Sequence, residues 1–207
     1  SGDLLIAIGT LDGGGDTLSL PAGDWSDNNL YTGNVAVNGF LASYIIADGT
    51  ENGGSFTVSH SSGETGQLSL IHVQNWHGTT PPEISAANDN STGSSWDSAA
   101  AFNPAGWDST SDTLWFAIAS TDASTAVTGS YPTGFNDNQH TERIGTATAM
   151  HAWATKEAAS DSESYAEVTN AFNPAKNKAS FILAVRGAAA GGSSIIPQIM
   201  HNRRIQQ

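Results

Sequence analysis

The sequence predicts an all-β protein, a single β-sandwich built from two similar four-strand halves, and two observations predict it. Apolar residues fall in short runs between Gly, Pro, Asn and Asp turn signals, which is typical of strands rather than of long helices. A central stretch, SDTLWFAIASTD at 111–122, is also a near copy of the opening stretch GDLLIAIGTLD at 2–12, with Ala117 over Ala7 and Asp122 over Asp12. One β unit used twice implies one closed sandwich.

The first half contains four predicted strands. Residues 4–8 form a continuous apolar run, which indicates a strand buried on both faces. Residues 34–46 alternate as one long strand with a bend at Gly39. Residues 55–60 and 67–74 are two further strands separated by a Ser/Gly turn, and we expect them to form a hairpin.

The second half repeats this plan with strands at 114–119, 144–155, 165–168 and 181–185. The runs at 114–119 and 181–185 are apolar throughout, like the run at 4–8. We therefore expect these three segments to be adjacent or facing buried strands, and we expect very little helix.

The chain divides into a sandwich domain at 1–187, a flexible Ala/Gly/Ser linker at 188–194 and a docking tail at 195–207. All 20 acidic residues precede residue 188, so the body carries 5 − 20 = −15 formal charges and the tail +2. The predicted partner-docking residues are the apolar and basic residues of the tail: Ile195, Ile196, Ile199, Met200, Arg203, Arg204 and Ile205. We expect the tail to clamp a neighbouring chain, and the alternatives are a tail folded back on its own sandwich or one ordered by crystal packing.

Composition excludes several classes of function. A formal net charge of −13 with only seven Lys and Arg repels nucleic acid and anionic lipid. No apolar run approaches the roughly 20 residues that span a bilayer, so we expect no membrane insertion. The chain has no Cys, which removes disulfides, thiolate metal sites and a Cys nucleophile.

No pattern in the sequence indicates an enzyme or a metal site. The six His lack metal-ligand spacing, and the Asp/Asn clusters lack the twelve-residue calcium loop with its terminal Glu. There is no Gly-x-Ser-x-Gly elbow to hold a nucleophile. We therefore expect no catalytic residues, no bound metal and no cofactor.

The aromatic residues of the loops leave two interpretations open. Trp25 follows a Pro-Ala-Gly turn, and the irregular segment 75–108 contains three further Trp. Such rings cover an end or edge of a sandwich in most proteins, and in sugar-binding proteins they serve as stacking faces. The candidate stacking residues are Trp25, Trp76, Trp96, Trp107, Tyr131 and Phe135.

The motifs GDLLIAIGTLDGGG, SYIIADGTE, FTVS and a closing AVRG resemble β-sandwich domains encoded by tailed bacteriophages and prophages, over residues 2–187. The resemblance implies a jelly-roll type of sandwich and a structural or adhesive role on the virion surface, in a head decoration protein, a fibre or a receptor-binding part. It also implies a homo-oligomer, commonly a trimer, that contacts other virion proteins and is extracellular. The alternative is a carbohydrate-binding, lectin-like adhesion module that binds a host surface glycan.

Overall fold

The computed structural model describes residues 2–12, 18–35, 38–51, 56–60, 65–107, 112–122, 130–142, 149–172, 176–188 and 196–205. Within these ranges the chain is all-β, and the one helix is the four-residue α1 (Asp24–Asp27). The expected low helix content is therefore confirmed.

The strands fall into three groups along the chain. The first half contains β1 (Leu4–Asp12), β2 (Leu18–Ser19), β3 (Asn29–Val35), β4 (Asn38–Ile46), β5 (Ser59–His60) and β6 (Gly66–Gln74). The connecting segment contains β7 (Glu83–Ile84), β8 (Asn88–Gly93) and β9 (Ala99–Phe102). The second half contains β10 (Asp112–Thr121), β11 (Asp137–Glu142), β12 (Met150–Ala159), β13 (Glu163–Tyr165), β14 (Lys176–Arg186) and, after it, β15 (Ile196–Ile205).

The main strands of each half build one antiparallel sheet, and the two sheets have matching strand orders. The first sheet runs β15-β6-β1-β4-β3 and the second runs β11-β12-β10-β14-β7, with β8 also paired to β14. When the second sheet is read in the opposite direction, its strands β14-β10-β12-β11 occupy the places of β6-β1-β4-β3 in the first sheet. The repeat seen in the sequence is thus a repeat of topology.

The main core lies between the two sheets. It contains Leu4, Ile6 and Ile8 from β1, Phe116 from β10 and Phe181 from β14, all less than 3% exposed. The predicted strands at 114–119 and 181–185 are neighbours because β10 pairs with β14, and the strand at 4–8 faces them across the core. This part of the prediction is confirmed.

The outer face of the second sheet is also buried, beneath the rings of Trp96, Trp107, Phe135 and Phe172. The sheet makes room for these rings because five of its outward positions carry alanine, beside the larger Trp115, Met150 and Ile182. The alanines are Ala117, Ala119, Ala152, Ala154 and Ala184. The apolar run of β10 is buried on both faces for this reason. In the other sheet β1 is likewise buried on both faces, because Leu18 and Val58 cover its outer face.

Two strand predictions in the first half are wrong. The segment 34–46 is not one strand, because Val35 of β3 pairs with Asn38 of β4 and the chain reverses between them. The segments 55–60 and 67–74 do not form a hairpin, since β5 pairs with β2 and β6 pairs with β1 and β15. Both errors arise because alternation along a strand does not specify its partner.

The C-terminal segment extends the first sheet. The backbone of β15 pairs antiparallel with β6, from Ile196 opposite Gln74 to Ile205 opposite Gly66. The linker region 189–195 lies outside the described residues, whereas Gly187 forms a bridge with Trp76 at the end of β14. The tail thus lies at the edge of the sandwich of its own chain.

Candidate functional site

A layer of polar side chains crosses the interior of the sandwich at one end of the core. It consists of Thr10, Gln67, Ser69, Ser120 and His151, all fully buried, and we call it the interior polar layer. Side chains alternate between the two faces of a strand, and these five residues lie on the same inward face as the apolar core residues of their strands, nearer one end. Thr10 Oγ1 lies 3.1 Å from Ser120 Oγ, and Ser69 Oγ lies 2.7 Å from His151 Nε2.

The Ser69–His151 contact is the repeat equivalent of an aromatic stack. Phe40 pairs with Thr10 as His151 pairs with Ser120, and Ser69 pairs with Ile8 as Phe181 pairs with Ile118. In the repeat, His151 therefore corresponds to Phe40 and Ser69 corresponds to Phe181. The Ser69–His151 contact is thus equivalent to the contact between Phe181 and Phe40. Those two rings are stacked with centroids 4.3 Å apart. The same pair of positions is therefore aromatic in one place in the interior and polar in the other.

Burial controls the charge of His151. Desolvation, with a smaller contribution from His140, lowers the pKa of His151 to about 3, so the imidazole is neutral at ordinary pH. Within the described part of the chain, His151 Nδ1 and both amide atoms of Gln67 have no hydrogen-bond partner. A hydroxyl bonded to an imidazole is also the arrangement of a nucleophile and its base, but both groups are fully buried and out of reach of a substrate.

A second buried polar site lies under the covering layer of the second sheet. Lys178 Nζ on β14 lies 3.4 Å from Asp97 Oδ1, and the two side chains are only 2% and 6% exposed. The segment that carries Asp97 is fixed, because Trp96 exchanges two backbone hydrogen bonds with Val168, of 2.8 and 2.9 Å. A β-carbon on Gly93 would approach Lys178 Nζ to 2.6 Å, so the absence of a side chain at Gly93 leaves space for the ammonium group.

The phenol of Tyr165 belongs to the same neighbourhood. Its hydroxyl donates a hydrogen bond of 3.0 Å to the carbonyl oxygen of Phe181 and accepts one of 3.4 Å from Trp96 Nε1. Burial above all, together with the nearby Asp97 carboxylate, raises the pKa of Tyr165, so the phenol remains protonated. The site thus combines an amine, a carboxyl group and a neutral hydroxyl in a dry environment.

Most of the predicted stacking aromatics face the interior. Trp76, Trp96, Trp107 and Phe135 are less than 9% exposed, and their rings pack in the cores rather than offering a face to a sugar. Tyr131 is half-buried, with its hydroxyl 2.8 Å from Thr141 Oγ1. Trp25 is half-buried against Phe56, with ring centroids 4.4 Å apart. Only Trp25 and Tyr131 of this group retain partial exposure.

The predicted docking residues lie on β15 or beside it. The structure describes the backbone pairing of β15 with β6 but not its side chains, and Ile195 lies outside the described residues. Of the tail interpretations, this pairing corresponds to a segment that folds back on its own chain. It leaves the other edge of β15 as the edge of the first sheet.

The described residues contain no group of three or more His, Cys, Asp or Glu side chains arranged to hold a metal ion. In the same ranges, no helix has the length and apolar character to cross a membrane.

Neither buried polar site was identified from the sequence. In the run QLSLIHV, Gln67 and Ser69 occupy alternate positions that continue those of Ile71 and Val73, which face the core. Polar residues at such inward positions are a sequence signal for a buried polar site. Lys178 gave a similar signal, since it lies just before the apolar run of β14. The partners Asp97 and His151 are distant in sequence, and no local pattern predicts such pairing.

No protein-family model, curated protein or solved structure matches this chain. The functional inference therefore depends on the residues and on their geometry.

Proposed function

We propose that the chain is a non-enzymatic structural protein of a phage virion surface, acting as a decoration or fibre component. The observation that carries this proposal is that the reactive side chains described above are buried inside the protein and cannot contact a substrate at its surface. Ser69, His151, Lys178 and Asp97 are all buried in the described structure, in a body whose two sheets are covered on their outer faces as well. Such a body is suited to a scaffold, and the motif resemblance over residues 2–187 supplies the virion context.

Assembly with copies of itself, as a trimer or another oligomer, and with other virion proteins is part of this proposal. The edge strands β3 and β11 are short, and each carries a register shift, which disfavours addition of a partner strand. The edge strand β15 has ten residues and is the longest edge. Although it has its own register shift between Ile199 and His201, we assign the assembly contact to β15 and the adjoining face of the sandwich.

The jelly-roll type and the lectin-like alternative stay predictions. Each half keeps its main strands within one sheet, so the jelly-roll assignment is supported by the resemblance alone. The carbohydrate-binding alternative is supported only by the partial exposure of Trp25 and Tyr131. Saccharides at millimolar concentration that shift the tryptophan emission of the wild type, but not that of Trp25→Phe, would favour it.

Location on particles tests the proposal directly. An antiserum raised against residues 1–207 should label the outside of phage particles from a lysate that encodes the chain, when the particles are viewed by immunogold electron microscopy. Pre-immune serum is the control. Purified, genome-filled particles whose mass-spectrometric protein inventory lacks this chain would overturn the virion assignment.

A further inference from the structure

The Lys178–Asp97 pair is an expensive arrangement if both groups are charged. A buried ion pair recovers its desolvation cost only when its hydrogen-bond geometry is excellent. The observed separation of 3.4 Å is longer than the roughly 2.7–2.9 Å of a good ammonium–carboxylate hydrogen bond. The protein nevertheless withdraws both side chains almost completely from water.

The two groups are also held in place by independent parts of the fold. Lys178 lies in the middle of the sheet, paired with Thr121 on one side and with Asn90 on the other. The backbone bonds of Trp96 to Val168 fix the neighbouring Asp97. Two reactants fixed at contact distance in a site that excludes water are in the condition that accelerates intramolecular condensation.

We propose that Lys178 and Asp97 form a modification site, at which their side chains condense into an intramolecular amide bond. A proton passes from the ammonium group to the carboxylate, which gives a neutral amine and a carboxylic acid. The Nζ lone pair then attacks Asp97 Cγ, a C–N bond forms, and one C–O bond breaks. Two hydrogens from Nζ leave with the carboxyl oxygen as water, and the third remains on the amide, so no oxidant or reductant is required.

The surroundings fit this product. The amide carries no net charge, so the cost of burying two ions disappears. The Tyr165 hydroxyl near Asp97 remains protonated, with its hydrogen donated to the carbonyl oxygen of Phe181, so it adds no charge that would compete with the condensation. The bond ties the covering layer of the second sheet to β14, and it joins positions 178 − 97 = 81 residues apart. This proposal does not depend on the virion assignment.

Mass spectrometry of the purified full chain tests the bond. We expect the intact mass of folded protein to be lower than the sequence mass by one water. We also expect a protease digest to give one branched peptide that contains both Lys178 and Asp97. A folded preparation whose intact mass equals that of the sequence, with the two residues recovered only on separate peptides, would overturn the proposal.

Two variants separate the bond from other losses of water. Lys178→Met removes the amine and must restore the full mass, whereas a cyclic imide at Asp97 would still lack one water and would contradict the proposal. Lys156→Met is the matched control, because Lys156 forms a half-exposed ion pair with Glu163 at 2.6 Å. That variant must retain the loss of one water. The masses are measured after denaturation, but the bond forms only in a folded chain, so each variant is first shown to fold by a cooperative thermal transition.

Discussion

Thr10 Oγ1 and Ser120 Oγ lie 3.1 Å apart inside the sandwich, and the two residues occupy the same position in the two copies of the repeat, 110 residues apart. The offset is the same as that of Ala7 and Ala117 in the sequence. Equivalent residues can touch across two facing sheets only where the axis relating the copies passes between them. This hydrogen bond therefore marks the centre of the duplicated fold.

Removing one partner of this bond should cost more than removing both. Thr10→Val leaves the Ser120 hydroxyl buried without its partner, and we expect a loss of about 1–3 kcal/mol in the free energy of unfolding. The double variant Thr10→Val/Ser120→Ala removes both polar groups and should recover most of that loss. Urea unfolding measures all three proteins. A double variant that is less stable than Thr10→Val would contradict the pairing.

Stability should fall as the pH falls below neutrality because of His151. Its pKa is about 3 in the folded state and about 6.5 in the unfolded chain, so the unfolded chain binds more protons between these values. The contribution is fully present above about pH 6.5 and decreases toward pH 3. From about pH 7.5 to pH 4.5 the loss should be about 2–3 kcal/mol.

The variant His151→Gln removes this titration and should flatten the pH dependence of the unfolding free energy by that amount. His77→Gln, which removes an imidazole outside the interior polar layer, is the control variant. Asp3, whose pKa is lowered mainly by its hydrogen bond with His72, loses its contribution below its unfolded pKa of 3.8 and so lies outside this window. Equal slopes in wild type and His151→Gln would exclude His151 as the cause.

A carboxylate in the main core should unfold the protein. Ile6 is fully buried, and Ile6→Asp places an unpaired charge between the sheets at a cost of several kcal/mol, against a typical total of about 5–15 kcal/mol. Ile46 lies in the neighbouring strand and is 47% exposed, so Ile46→Asp is a matched control with an expected change within about 0.5 kcal/mol. Cooperative melting of Ile6→Asp at the wild-type temperature would refute the strand assignment.

Deleting residues 195–207 removes β15 and opens the edge of β6. We expect the truncated chain to fold with a lower free energy of unfolding and to lose the oligomer that assembles through β15, while the unpaired backbone groups of β6 favour irregular aggregates instead. Light scattering and urea unfolding measure these effects, and a chain lacking only residues 206–207 is the control. Loss of an oligomer at unchanged unfolding free energy would instead indicate that the tail binds a neighbouring chain.

The sequence predicted the duplication and the buried central strands because both are local properties. The runs of β1, β10 and β14 are apolar at consecutive positions, and such runs indicate strands covered on two faces. Pairing was harder to predict. The chain reverses between β3 and β4 within a pattern that alternates equally well on both sides, so the sequence predicts one strand where there are two.

Sites were harder to predict than strands because their members are distant in sequence. His151 and Ser69 are 82 residues apart, and only the packing of the two sheets brings them together. The burial of Trp96 and Trp107 likewise depends on alanines of the opposing sheet face, which no window around either Trp contains. Burial of a side chain in a loop is decided by what the rest of the chain places against it.

The matching strand orders of the two sheets mean that the chain is, in its geometry, a dimer whose two subunits are covalently joined. Either half alone would leave the inner face that carries Ile6 or Phe116 in water, and no other element in the described part of that half covers it. The smallest folded form of one half would therefore be a symmetric pair of halves. Covalent joining makes the partner of each half permanent, so the two halves need not be identical: Ser69 and His151 stand where the other half has the stacked rings of Phe181 and Phe40.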